Sequence, residues 1–143
     1  MAASAEELAH WQEYQSALGD HLLHSSAPNV LCEWEILGRE DRIVYVLTIC
    51  MGIETIGDVN PGHPTIRIPA VIHLTESGGV AGVEMPGGGN HYAQDIRNLF
   101  PVDVQEIIFD GSVYQSLLQN HLRWRLDQPD EPPLIALDAT PDS

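Results

Sequence analysis

Ile43-Val44-Tyr45-Val46-Leu47-Thr48-Ile49-Cys50 is apolar on both of its alternating faces, the pattern of a strand covered on each side and therefore central in its sheet. The segment before it reads differently. In Leu31–Gly38, Cys32, Trp34 and Ile36 alternate with Glu33 and Glu35, which predicts a half-buried strand with both glutamates on a solvated face. A turn at Glu40–Arg42 joins the two runs as an antiparallel hairpin. Downstream, Gly52–Pro64 carries three glycines and two prolines and reads as a long connection. Ile66–Thr75 then alternates again, with Ile66, Ile68, Ala70, Ile72 and Leu74 on one face. Pro69 has no amide to give a ladder, so its strand must lack a neighbour there or be bulged. Glu76-Ser77-Gly78-Gly79 turns the chain into a shorter fourth strand, Val80–Met85.

Helical signals flank this meander. Ser4 and Glu7 make a capping box, in which each side chain serves the other's orphan amide. Leu8, Trp11, Leu18 and Leu22 follow at helical spacing, while Gly19, which costs about 1 kcal/mol inside a helix, is a candidate bend. After the strands, a short helix at His91–Asn98 stops at Phe100-Pro101, because proline disfavours helical geometry in the residue before it. A second runs from Pro101 to Ile108, and a third, capped by Ser112, holds Val113, Leu117, Leu118 and Leu122. The expected class is α+β: an N-terminal helix packed on a four-stranded antiparallel meander, cystatin-like in outline, followed by short C-terminal helices. One domain spans 1–126. The acidic, proline-rich tail at 127–143 is expected to be extended, with Leu134-Ile135-Ala136-Leu137 able to lie along a groove or sheet edge.

Composition narrows the function. The 143 residues suit one domain with a real core. Asp and Glu number 21 against six arginines and no lysine, a formal charge of -15. So acidic a surface repels phosphate backbones and anionic lipid, which excludes nucleic acid and membrane surfaces as partners. No stretch has the length of a membrane span, and the acidic start has no leader pattern, so a soluble, cytoplasmic protein is expected, or an extracytoplasmic one if a leader has been removed.

No assembled chemistry stands out. Cys32 and Cys50 fall opposite each other on the hairpin, where a bridge would form in an oxidising compartment; two buried free thiols are the expectation, since free cysteine is among the most buried residue types. Seven histidines are many for this length. His21 and His24 have a metal-compatible spacing but no third ligand, His63 sits in a rigid turn, and no zinc motif occurs. Gly87-Gly88-Gly89 precedes a helix but lacks the lysine and spacing of a phosphate loop. No nucleophile elbow is present, and the apolar surroundings of Cys50 would raise a thiol's pKa rather than activate it. Neither a metal nor a cofactor is expected.

The most distinctive stretch is Pro86-Gly87-Gly88-Gly89-Asn90-His91-Tyr92-Ala93-Gln94-Asp95-Ile96-Arg97-Asn98-Leu99-Phe100-Pro101. It resembles the Pro, Gly, Tyr, Asp-Ile, Phe-Pro segment of a small uncharacterised bacterial domain found in lipoproteins and in the extracytoplasmic part of antibiotic-sensing regulatory proteins. The similarity extends over about Leu31 to Phe109. It implies a binding or sensory module and no reaction, with Tyr92, Asp95 and Phe100 as a structural signature: Tyr92 and Phe100 plugging the core, Asp95 on an amide or on Arg97. Two functions follow as expectations. The first is a non-enzymatic interaction or accessory module that binds a protein partner or itself, through Trp11, Trp124 and the tail residues Leu134, Ile135 and Leu137. The alternative is a sensor or modest enzyme with a small-molecule pocket between helix and sheet, using His73 or His91 beside Asp95.

Overall fold

A computed structural model describes residues 1–23, 30–52, 65–110 and 115–138. His24, His63 and the Ser112 cap lie outside them. Two helices, α1 (Ala5–Ala9) and α2 (Trp11–Leu23), lead into four strands, β1 (Val30–Glu40), β2 (Ile43–Gly52), β3 (Thr65–Leu74) and β4 (Val80–Glu84). A 3-10 turn at Gly89–His91 then opens α3 (Tyr92–Leu99), followed by α4 (Val102–Asp110), α5 (Gln115–Arg125) and α6 (Leu134–Asp138). The strands form one antiparallel meander in the order β1-β2-β3-β4.

Alternation along the strands divides the core between the two faces of the sheet. Cys32, Trp34 and Ile36 of β1, Val44, Val46 and Cys50 of β2, and Ala70 and Ile72 of β3 pack on Tyr14 and Leu18 of α2. Their alternates face the C-terminal helices. Tyr45, Leu47 and Val71 meet Ile96, Phe100 and Val104, and Leu31, Ile49 and Met51 meet Leu118 and Leu122. Both faces of β2 are thus covered, as its sequence requires. Phe100 is buried against Tyr45 and Tyr92 is packed at the margin of the same cluster.

Local rules fix the joints. The Ser4–Glu7 capping box is formed, but the first helix breaks at His10 and not at Gly19. Gly19 lies within α2 because a Cβ there would come 2.3 Å from Val30 Cγ1, so glycine lets α2 touch β1. Pro69 pairs with Leu47 on one side, while β4 reaches only as far as the Glu84–Val71 pair; the missing amide meets no strand. Asp41 takes φ 47 in the β1–β2 turn, a conformation its short polar side chain tolerates.

Two expectations need correction. Cys32 and Cys50 are not free thiols but a disulfide, because the hairpin register sets them directly opposite with their Cα atoms 4.1 Å apart. The segment after Asp127 is not extended throughout: Leu134–Asp138 is helical, and Ile135 is buried to 6% exposure in the cluster under α2.

Candidate functional site

Glu33, expected on a solvated strand face, is completely buried, as is Arg125. The C-terminal helices cover the Glu33 end of this polar face, while Glu35 on the same face stays 40% exposed and takes the N-terminal ammonium at 3.2 Å. One Glu33 carboxylate oxygen, Oε2, accepts from Arg125 Nη1 at 3.0 Å and lies 2.8 Å from His121 Nδ1. The other accepts the Leu134 amide at 2.8 Å, at the start of α6. Three further Arg125 donors go to the Cys32 carbonyl at 2.7 Å, the Gln15 side-chain oxygen at 2.6 Å and the Glu131 carbonyl at 2.9 Å. The same Gln15 oxygen accepts the Cys32 amide at 3.0 Å, and the guanidinium lies over the Trp11 ring. Burial lowers the Arg125 pKa, opposed by the adjacent Glu33 charge. A charge pair this deep is stable only if its hydrogen bonds are largely satisfied, and here four of the guanidinium's five N–H donors are engaged.

This cluster answers the outward backbone groups of Cys32 on β1, whose only strand neighbour among the described residues is β2. Further along the same edge, the N-terminal ammonium donates to the Ile36 carbonyl at 2.9 Å. Cys32 turns its N–H and C=O to Gln15 and Arg125, away from β2, so the Cys32–Cys50 pair is of the non-hydrogen-bonded kind. Alternation carries this parity across the sheet. Cys50, Thr48, Val46 and Val44 point their backbone groups at β3, and Val71 and His73 of β3 point theirs at Glu84 and Gly82 of β4. Val83 is left with its N–H and C=O directed out of the sheet.

The β4 edge therefore differs from the β1 edge. Its first amide, Val80 N–H, is taken by the Glu13 carboxylate of α2. Beyond that contact runs an open groove of about 400 Å³ between α2 and β4, lined by Glu13, Ala17, Asp20, His21 and the strand residues Val80–Val83. A Cβ on Gly82 would meet nothing within 4 Å.

Apolar exposure lies elsewhere, on two of the C-terminal helices. Apart from Met1, the exposed large apolar side chains among the described residues are Val102 and Phe109 on α4 and Leu117 and Trp124 on α5. Trp124 is 44% exposed and its ring lies 5.2 Å from that of His121. Arg97 stands over the Phe109 ring at 5.7 Å, beside a shallow cleft of about 730 Å³ along α4.

Of the partner-binding candidates named from sequence, Trp124 alone is exposed among the described side chains. Trp11 packs on the α2 core, Leu134 is half-buried, Ile135 is buried, and the Leu137 side chain lies outside the described residues. The alternative trio does not converge. His73 pairs with Glu84 across β3 and β4, Asp95 accepts the Gly87 amide at 2.7 Å, and His91 is exposed. No hydrogen bond joins His73 to His91 or Asp95 among the described residues. A general base needs a free lone pair within reach of a substrate; Glu33 is sealed from solvent with both oxygens engaged, and Asp95 holds a loop amide. Among the described residues no three His, Cys, Asp or Glu side chains could share a metal ion, and no helix is long and apolar enough to cross a membrane.

What sequence reasoning missed was the Glu33–Arg125 pair, whose partners are 92 residues apart. A short-range signal did exist: a lone arginine at the apolar-spaced position after Leu118 and Leu122. No known protein family matches the chain, and neither a curated protein nor a solved structure matches it significantly.

Proposed function

We propose that this protein is a non-enzymatic interaction module that binds another protein through the outer surface of its C-terminal helices. The observation that carries the reading is the distribution of exposed large apolar side chains, which lie on α4 and α5, while among the described side chains α2 exposes none. Trp124 and Phe109 have the character of interface anchors: large, rigid and desolvated on binding at little entropic cost. Leu117, His121 and Trp124 fall at spacings of four and three on α5 and so share one face. The Cys32–Cys50 bridge supports maturation in an oxidising compartment, against the cytoplasmic location expected from sequence. That compartment is also where the domain resembled by Pro86–Pro101 works.

Native mass spectrometry of the protein purified gently from its host tests this reading. A co-purifying chain or a defined oligomer is expected, and Phe109→Ser with Trp124→Ser should remove it while leaving the thermal midpoint within a few degrees. A stoichiometric small molecule on a monomer would overturn the reading in favour of a ligand sensor.

A further inference from the structure

The two edges of the sheet are not treated alike, and the difference assigns a use to the second. We propose that the outer edge of β4 accepts an extended, basic segment of another protein as a fifth strand. The inference rests on the reading of the chain as an interaction module but uses a surface separate from α4 and α5. Three observations support it. Val83 directs its N–H and C=O outward by the parity of the ladder, and among the described residues no strand answers them. The Glu13 carboxylate on the Val80 amide already stands where an incoming strand's carbonyl would begin. The groove beside the strand, about 400 Å³ with small residues at Ala17, Ala81 and Gly82, leaves room for alternate side chains of a guest.

Charge selects the guest. Glu13 and Asp20 line the groove and the half-exposed Glu84 ends the strand, on a chain of net charge -15. Pairing β4 with β4 of a second copy would bring these carboxylates together on two strongly acidic bodies, which like-charge repulsion opposes. A segment carrying lysine or arginine at alternate positions gains the main-chain bonds of the edge and the attraction of the groove together.

The test uses the full chain and a synthetic probe, acetyl-Lys-Val-Arg-Val-Lys-Val-amide, with glutamates in the basic positions as control. The basic peptide should bind, slow hydrogen exchange at the Val83 amide, and bind less tightly as salt is raised; the acidic one should not bind. Val83→Pro removes the outward donor and should weaken binding about tenfold, the worth of one or two hydrogen bonds. Glu13→Gln with Asp20→Asn keeps the Val80 cap but removes the charge, and should weaken binding also; this pair serves as the test if Val83→Pro does not fold. Absence of binding, or binding that Val83→Pro leaves unchanged, overturns the edge proposal. Protection confined to α4 and α5 would overturn it while leaving the interaction-module reading intact. Self-association abolished by Val83→Pro would replace the basic segment by a second copy.

Discussion

At β1 the outer edge of the sheet is covered at Cys32 by a buried arginine and a buried glutamine and at Ile36 by the N-terminal ammonium, whereas at β4 it carries one carboxylate on one amide. Both strands present the same backbone groups, and an unpaired edge invites pairing with another chain. Burying Arg125 and Glu33 carries a desolvation penalty of several kcal/mol per ion, offset only by their mutual attraction and the hydrogen bonds around them. The contrast separates an edge whose closure is part of the fold from one left accessible to solvent. Mutations at the first should act on stability, and at the second on binding.

The largest effect should follow from Arg125→Ala. It leaves Glu33 charged, buried and without its guanidinium, and it orphans the Cys32 carbonyl; a loss of about 3–5 kcal/mol is expected. Calorimetry or urea titration would read this as a fall in midpoint of roughly 10 °C for a chain of this size. Arg125→Met combined with Glu33→Leu should recover much of the loss, because no unpaired charge remains. A cost below about 1 kcal/mol for Arg125→Ala would erase the distinction between the edges.

Next in size is the bridge, which lies on the same strand. It closes a loop with a sequence separation of 18, and cross-linking a loop of that length stabilises by about 3 kcal/mol through the unfolded chain. Urea midpoints of the native protein and of Cys32→Ala with Cys50→Ala should differ accordingly. Equal midpoints would mean that the register holds the hairpin unaided.

These two features show where sequence is legible. The strands were legible because the period of two is local, and so was the facing of Cys32 and Cys50, which follows from strand register alone. Pro69 located the missing neighbour by its chemistry. Glu33 was not legible. Alternation places it on the polar face correctly, but whether that face is solvated depends on helices that return nearly a hundred residues later. The tail misled for a related reason: Asp127–Glu131 is polar and exposed, and only tertiary packing draws Ile135 into the core. Of the interaction candidates, Trp124 could be named from sequence, but its exposure could not, because helical spacing alone does not say which face of α5 meets the sheet.

A smaller effect, dependent on pH, should appear at the far end of β1. Arg39 donates to both oxygens of Glu7, each at 2.7 Å, binding that strand end to α1. Burial raises the Glu7 pKa, but the hydrogen bonds from Arg39 and Ser4 with the Arg39 charge outweigh it and hold the carboxyl below its ordinary 4.5. A depressed folded pKa contributes stability that is present above the unfolded value and lost as pH falls through the folded one. Glu7→Gln should therefore cost about 1 kcal/mol at neutral pH, the arginine being partly exposed. The gap between variant and wild type should close on acidification below pH 4.5. A gap constant with pH would mean that the charge of Glu7 contributes nothing.

The smallest stability effect is expected at the open edge, and it sharpens the comparison most. In an edge strand, proline is tolerated where the amide it removes faced solvent and is costly where that amide served the ladder. The parity set by Cys32 directs Val83 outward and Gly82 toward His73 of β3. Val83→Pro keeps an apolar side chain and loses only the solvated donor, so unfolding should change by less than about 1 kcal/mol. Gly82→Pro, one residue away, removes a ladder bond and should cost about 3 kcal/mol. Equal penalties at both positions would show that the outer amide of β4 is already engaged. The asymmetry between the edges would then be only apparent, and β4 would have nothing left to offer a fifth strand.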